Sequence, residues 1–370
     1  MENGGDAMYG LMKCLGILCA GSLGMLLVAA VWVYRGGERF EAVASASLIA
    51  GEGPSLSPGQ SLKVMSWNVQ YFAGKNYVFY YDLPGFSGPD KRPSPQDMDA
   101  TFDEAARVVD DESPDILLLQ EVDHGASRTD GQDQAARLES LLKTRYPFKA
   151  EAFYWKARFV PHPKIMGAVG MKLVIFSRYR MEVPVRIALP GAGGNFFTER
   201  LNLQRCLLTA ELPVTGGGRL ALINLHLEAF PVTPDLLARQ LGALEHVIHV
   251  FERQGAPVIS GGDFNLLPPG QYETLDEEQR ALFNPEGEMT PLFSRYTVVP
   301  GLDDTDPGVA SPHYTHFPND PGVSAPDRTL DYLVCSRELA VTSARVRSED
   351  TLHISDHLPV VATLTVPEQD

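Results

Sequence analysis

The chain is short of cysteine and of positive charge, and each shortage narrows what it can be. Four cysteines occur among 370 residues. Cys14 and Cys19 sit in an apolar N-terminal stretch, while Cys206 and Cys335 lie singly inside strand-like runs. Isolated positions of this kind form neither a disulfide framework nor a zinc-type spacing, so buried free thiols are expected. Cys206 has no His or Asn context of its own and is not expected to be a nucleophile. Positive charge is outnumbered: 31 Lys and Arg face 47 Asp and Glu, a net charge of −16, of which residues 1–50 carry −1 and the remainder −15. Proteins that grip long nucleic acid by neutralising phosphates carry a basic face, so this balance argues against a processive or non-specific nuclease. A glycine-rich phosphate loop between strand and helix is also missing; Gly191–Gly194 and Gly216–Gly218 lack that context and read as hairpin turns. No internal repeat is evident.

One long hydrophobic run stands out. Residues 14–34 carry no charged side chain and end in Trp32 and Tyr34. At about 1.5 Å per residue such a helix spans roughly 30 Å, the thickness of a bilayer hydrocarbon core. The expectation is a single-pass N-terminal transmembrane anchor over residues 14–34 within a segment 1–41. A cleaved signal peptide, with Ala42-Val43-Ala44 as the small-residue site, is the competing reading, disfavoured by the length of the run. Lys13 before the run and Arg35 and Arg39 after it do not fix the orientation; membrane localisation with the domain on the extracytoplasmic side is the expectation. Residues 42–61, rich in Ala, Ser, Gly and Pro, read as a flexible linker, and residues 62–370 as one catalytic domain.

Within that domain, several apolar runs deliver a polar residue at their end. Lys63–Trp67 delivers Asn68, Ile116–Gln120 delivers Glu121, Ala221–Leu225 delivers His226, and Ala256–Ser260 leads through Gly261-Gly262 to Asp263 and Asn265. Short apolar runs closed by glycine or polar residues are buried strands that turn sharply at the sheet edge. Thr329–Val334, containing Asp331, and Ser355–Val360, containing Asp356 and His357, follow near the C-terminus. Helical periodicity is predicted over 97–112, 133–145 and 234–253, and consecutive strands over 150–226. Runs of strands with interspersed helices indicate a layered α/β sandwich rather than an alternating parallel sheet.

In this order the six segments resemble the endonuclease/exonuclease/phosphatase superfamily over roughly residues 62–366. That resemblance implies an α/β fold of two packed mixed β-sheets flanked by helices, a four-layer α/β/β/α sandwich. It implies a Mg²⁺-dependent phosphodiesterase, Mn²⁺ being the other candidate ion, in which an activated water attacks a phosphoester. Oxygen ligands suit these hard ions, and Asn68, Glu121 and Asp356 are the metal candidates. Asp263 is expected to orient or deprotonate water, and Asn265 to hold a phosphoryl oxygen or the metal's water. His226 and His357 are expected to flank the phosphate, and Asp331 to pair with His357, fixing its tautomer and raising its pKa. Arg205 resembles a basic residue common before this strand in the family and is expected to play a supporting role.

The substrate is less legible. Seven aromatics lie between Tyr71 and Phe86, and Phe153, Tyr154, Trp155 and Phe159 are interleaved with Lys156, Arg158, His162 and Lys164. Such clusters stack nucleobases, cage a quaternary ammonium, meet a membrane interface, or simply pack. With an acidic domain and an apolar N-terminal run, the expectation is a phospholipid or sphingolipid head group at the bilayer, with no obligate protein partner. A membrane-tethered nuclease or phosphomonoesterase using the same site is the alternative, and a non-catalytic binding module a third reading.

Overall fold

Strands buried on both faces need a second layer on each side, and the apolar runs of this chain find one. In the computed structural model, which describes residues 3–368 except 76, 91, 144, 192, 231, 232 and 286, the strands in chain order are β1 Val43–Ser45, β2 Ser47–Ala50, β3 Ser61–Asn68, β4 Ile116–Asp123, β5 Phe148–Val160, β6 Gly167–Ser177, β7 Glu182–Ala188, β8 Cys206–Pro213, β9 Arg219–His226, β10 Val258–Asp263, β11 Thr297–Val299, β12 Asp331–Cys335, β13 Ala340–Val346 and β14 Val360–Thr365. They form two seven-stranded sheets, ordered β13-β14-β3-β4-β6-β5-β2 and β1-β7-β8-β9-β10-β12-β11.

The sheets pack face to face. Leu62, Val64, Ile116, Leu118 and Ile175 of the first meet Leu208, Leu222, Ile259 and Leu333 of the second in one buried cluster. The helices are α1 Asn3–Gly36, α2 Pro95–Glu112, α3 Gln134–Leu141, α4 Phe196–Leu201 and α5 Leu236–Arg253, with shorter turns between. Phe102 and Val109 of α2 and Leu138 of α3 cover the outer face of the first sheet. Leu241, Leu244 and Ile248 of α5 cover the outer face of the second. The result is the expected four-layer α/β/β/α sandwich. Helix α2 begins where Ser94 accepts a bond from Asp97 N and Pro95 occupies the first turn, a local stop and start legible in the sequence.

Two N-terminal expectations need correction. Among the described residues no helix is long and apolar enough to cross a membrane, so the transmembrane anchor expected over 14–34 is not supported. A helix does run through that segment, but its end is fastened to the domain. Arg200 Nη1 donates to the carbonyls of Tyr34 and Gly37, and Gly37 bridges to Ala157. Nor is 42–61 a flexible linker. Residues 43–45 pair with 185–187 at the edge of one sheet and residues 47–50 with 148–151 at the edge of the other, and Leu56 is fully buried. The small residues there suit close edge pairing as well as they suit a tether.

Far from the strand ends, α2 is tied to the β13–β14 hairpin by a charge cluster. The buried Glu112 carboxylate accepts from Arg345 and, at 3.3 Å, from Arg347 Nη1, while Arg347 also reaches Asp350 at 2.6 Å. Removing one partner of a buried carboxylate costs about 3–5 kcal/mol. Arg347→Ala is therefore expected to lower urea-unfolding stability by about 3 kcal/mol, the low end of that range. Arg107→Ala, whose pairs are more exposed, should cost under about 1 kcal/mol. Equal effects of the two would refute the assignment.

Candidate active site

The site lies where the C-terminal ends of two parallel strand pairs, one from each sheet, face one another. β3 runs parallel to β4 with Asn68 opposite Gln120, so Glu121 projects beside Asn68. β10 runs parallel to β9 and antiparallel to β12, so Asp263 sits opposite both His226 and Asp331. Register alone thus gathers three of the expected residues in one row. The glycines before Asp263 allow it. A Cβ on Gly262 (φ 152°) would lie 1.9 Å from the Leu225 carbonyl, and one on Gly261 2.7 Å from Leu118 of the opposing sheet. The bulge within β4 and the turn after β10 are strained, with Glu121 at φ 56° and Asn265 at φ 52°, a conformation that costs non-glycine residues about 1–3 kcal/mol and that clusters at functional sites.

The side chains close into one network. Asn68 Nδ2 donates to Glu121 Oε1 at 3.2 Å and to Asp263 Oδ2 at 3.1 Å, while its Oδ1 accepts from Gln70 N at 3.0 Å. Asn68 thus orients two carboxylates and does not line the cavity. Asp263 Oδ1 accepts from Asn265 N at 2.9 Å, and Asn265 Nδ2 donates to the Leu227 carbonyl at 3.2 Å. His226 Nε2 stands 3.3 Å from Asp263 Oδ2, and its Nδ1 3.8 Å from Glu121 Oε1 and 3.4 Å from the Tyr154 hydroxyl. His357 Nδ1 donates to Asp331 Oδ2 at 2.8 Å and presents Nε2 toward Asp263, 3.6 Å away. Trp67 Nε1 holds the His357 carbonyl at 2.9 Å, and Ser355 Oγ holds the Asn68 carbonyl at 2.8 Å, tying the Ser355–His357 turn to β3.

Burial acts differently on the two histidines. It opposes charge on His357, yet the Asp331 and Asp263 carboxylates outweigh it and raise the imidazole well above its ordinary value. Burial lowers His226 well below its ordinary value, and the positive charges of Arg205 and His357 add to the effect. Both histidines were expected to flank the phosphate with protonation strengthening their bonds; the structure separates them into a charged and a neutral ring. Burial also raises the carboxyls: Asp263 to about 6, moderated by His357, and Asp356 to about 7, with Asp82 and Glu121 adding repulsion. Glu121 is raised by burial, and Arg128 and Asn68 partly offset this.

These groups open onto a cavity of about 310 Å³ whose lining includes Glu121, His226, Asp263, Asn265, Asp356 and His357. Its donor set suits a divalent cation, since the partly buried carboxylates of Glu121 and Asp356 are hard oxygen donors that favour a hard positive charge. One oxygen or nitrogen each of Asp263, Asp331 and His357 also lie within 4.8 Å of one another. There, however, the raised imidazole already supplies the positive charge, so we read that trio as a hydrogen-bonded ion array.

Sequence reasoning missed several lining residues. Arg128 is bound through Nε and Nη2 to Asp123 at 2.8 and 2.9 Å and stacks on Tyr71, 3.5 Å from the ring centre. Asp82, His316 and Asn319 come from irregular loops where no periodicity marks them. Arg205, given a supporting role, lines the cavity while buried, and its Nε and Nη1 have no hydrogen-bond partner among the described residues. The aromatic loop divides in two: Tyr71 and Phe72 are buried packing, whereas Tyr80, Tyr81 and Phe86 line the cavity together with the largely buried Phe79.

With fold and site in view, the class of protein is defined. The chain belongs to the Endonuclease/Exonuclease/phosphatase family, whose profile matches residues 65–357, and it has that family's phosphoester-hydrolase fold. Among solved structures, an endonuclease/exonuclease/phosphatase from Beutenbergia cavernae is similar at 20% identity, with 83% of this chain and 72% of that chain covered and a TM-score of 0.53. The human Nocturnin catalytic domain with bound sulfate anion is similar at 18% identity, covering 86% and 96% with a TM-score of 0.50. A family protein from Leptotrichia buccalis is similar at 13% identity, covering 82% and 99% with a TM-score of 0.50. At these identities the likeness concerns the fold. No curated protein sequence matches the chain.

The two-histidine arrangement can be read directly by ¹⁵N NMR of ring nitrogens at pH 7.5. His357 is expected to show two protonated nitrogens and His226 one. Asp331→Asn should bring the His357 titration down toward the ordinary imidazole value near 6.5. A neutral His357 in the wild type would overturn the charge assignment.

Proposed function

We propose that the protein is a divalent-metal-dependent phosphodiesterase, Mg²⁺ or Mn²⁺ serving as the ion, that acts on a phosphoester carrying an apolar or lipid-like group. One observation carries this reading: β4, the end of β10 and the Ser355–His357 turn bring Glu121, Asp263, Asp356 and His357 onto one cavity. Glu121 and Asp356 would hold the cation, with Asn68 orienting Glu121. When bound, the ion supplies charge neutralisation to a phosphoryl oxygen.

The chain's own residues account for the other requirements. Asp263, fixed by Asn68 and Asn265 N, accepts the proton of the attacking water as its oxygen bonds to phosphorus and the ester P–O bond breaks. His357, held by Asp331, donates Nε2–H to a phosphoryl oxygen as negative charge develops. Asn265, at the turn, is placed to hold a phosphoryl oxygen or the ion's water. The unpaired N–H groups of Arg205 are placed to meet the substrate's negative charge. Neutral His226 keeps Asp263 and Glu121 apart without adding charge.

The lipid head group remains the favoured substrate. Tyr80, Phe86, Phe230, Leu282 and Phe283 give the cavity an apolar flank beside the carboxylates, and the acidic balance of −16 disfavours duplex nucleic acid. This reading does not depend on the N-terminal helix, and a nuclease or phosphomonoesterase using the same residues is the alternative outcome of the test.

With bis(p-nitrophenyl) phosphate and Mg²⁺ or Mn²⁺, hydrolysis is expected to stop on chelation. Asp263→Ala and His357→Ala should each reduce kcat at least about 10²-fold in folded protein. The rate should fall as pH drops through about 6, where Asp263 gains a proton and can no longer accept one. Full activity in chelator would exclude the metal role. A second panel sets sphingomyelin and phosphatidylcholine vesicles against oligonucleotides. Tyr80→Ser with Phe86→Ser should lower vesicle turnover while sparing the soluble diester, and efficient nucleic-acid cleavage without lipid turnover would reverse the substrate assignment.

A further inference from the structure

Behind the site, two polar side chains cross a largely apolar layer. Leu118, Leu208, Leu222 and Ile259 pack between the sheets, and Gln120 of β4 and Asn224 of β9 are fully buried beside them. Gln120 Nε2 donates to Asn224 Oδ1 at 2.7 Å, sheet to sheet. Asn224 Nδ2 donates in turn to the carbonyls of Leu119 and Val174, both at 2.9 Å, on β4 and β6 of the first sheet. Leu222, Asn224 and His226 share one face of β9, because successive side chains of a strand alternate. Room for the crossing comes from β10, where Gly261 stands opposite Asn224. A Cβ on that glycine would lie 2.7 Å from Leu118 and 3.4 Å from Ser66 of the first sheet. Buried polar groups cost stability unless they are bonded, so apolar residues would fill this layer more simply.

The two carbonyls that Asn224 reaches mark a break in the ladder. Leu119 and Val174 are the last register pair before the β4 bulge, after which Val122 pairs with Lys172. The extra residue decides which face Glu121 takes. Leu117 and Leu119 pack with Phe102 and Leu138 on the helix-facing side of the first sheet. Strict alternation would send Glu121 to that same apolar side. With the bulge, Val122 joins Leu117 and Leu119 instead, and Glu121, at φ 56°, turns to the cavity. A bulge interrupts the ladder where it lies and re-aims a side chain. Here Val69 N holds the Gln120 carbonyl at 3.2 Å from the end of β3, and Asn224 fastens the other edge from the opposing sheet.

We propose that Asn224 is a positioning residue for the cation site: by gripping the Leu119 and Val174 carbonyls across the sandwich, it holds the bulge that delivers Glu121 to the cavity. Gln120 assists by meeting the Asn224 oxygen, which leaves the Asn224 nitrogen facing the two carbonyls. Asn224 is not part of the cavity lining and acts through Glu121. The inference rests on the reading of Glu121 as the ion's anchor, and the two fail differently.

The test compares Asn224→Leu, apolar and close in volume, with Leu241→Ala, which opens a hole beneath α5 on the outer face of the second sheet. Both are made in the full chain, their folding is checked by urea unfolding, and Mn²⁺ binding is followed by calorimetry. Asn224→Leu is expected to bind Mn²⁺ at least about tenfold more weakly than wild type, the loss typical when the support of a metal ligand is removed. The Mn²⁺ concentration that half-saturates hydrolysis of bis(p-nitrophenyl) phosphate should rise by the same factor, while KM for the diester at saturating Mn²⁺ stays unchanged. Leu241→Ala should lower stability and leave Mn²⁺ affinity as in wild type. A crystal structure of Asn224→Leu should show Glu121 displaced from its left-handed conformation. Unchanged affinity in Asn224→Leu, a retained bulge, or an equal loss in Leu241→Ala would overturn the role of Asn224. Absence of Mn²⁺ binding in the wild type would refute the cation reading itself, and the crystal structure would still decide whether Asn224 holds the bulge. If Asn224→Leu does not fold, Gln120→Met, which releases Asn224 Oδ1 without altering β9, takes its place with the same deciding outcomes.

Discussion

Carboxylates buried together in one cavity are the constraint on which the rest of the molecule depends. Transferring an ionised carboxylate out of water costs several kcal/mol even after relaxation, and Asp263 is buried with Glu121 and Asp356 partly buried beside it. The fold concentrates this cost because β3–β4 and β9–β10 are parallel pairs that end at the same edge of the sandwich. The surrounding network limits it: Asn68 serves two carboxylates with one amide, Asp331 makes His357 a buried cation, and Arg128 faces Glu121 from beneath the aromatic loop. What those groups leave uncompensated is the electrostatic demand for a metal ion.

Much of this was legible in the sequence, for a specific reason. Asn68, His226 and Asp263 each end a short apolar strand and Glu121 closes the apolar run of β4 at its bulge, and such runs have a two-residue period and a defined stop. Once parallel pairing is assumed, strand ends meet, so a list of polar residues at strand ends is already a map of the site. The layered sandwich followed from the same runs, and α2 and α5 from their 3.6-residue periodicity. What escaped were residues without a repeating neighbour. Asp82, His316 and Asn319 lie in irregular loops, where contact depends on tertiary docking that no local pattern encodes. Strands β1 and β2 escaped because Ala and Ser in residues 43–50 give a tether's composition, although edge pairing needs only backbone hydrogen bonds. The two histidines looked alike in sequence; burial lowers His226 with Arg205 and His357 adding to it, whereas the Asp331 and Asp263 carboxylates outweigh burial at His357.

Strain is distributed in the same way as charge. Gln70, Tyr71 and Phe72 follow Asn68 in left-handed conformations, at φ 43°, 41° and 55°, and Glu121 and Asn265 share that region. Left-handed residues so close to the site are held by the packing around them. Tyr71 is pinned by the Arg128 guanidinium on its face and by the Tyr81 hydroxyl, Phe72 stacks on Phe102, and Gln134 Nε2 donates to the Tyr71 carbonyl at 2.7 Å. The backbone turn that aims Asn68 is therefore secured by the same aromatic loop that overhangs the cavity.

That loop consequently has two functions separated along its length. Its inner aromatics, Tyr71 and Phe72, are core, and replacing them would disturb the Asn68 turn. Its outer aromatics are arranged differently: Tyr80 leans on Tyr81, Phe86 and His162, and Phe86 meets Phe230 from the far side of the cavity. Phe86 is 56% and Phe230 41% exposed, so this wall faces solvent at the entrance while the carboxylates lie at the cavity's polar end. Changes at the strand ends alter charge where it develops. The apolar wall thus belongs to loops, while Asn68, His226, Asp263 and Asp331 are fixed by β-sheet register.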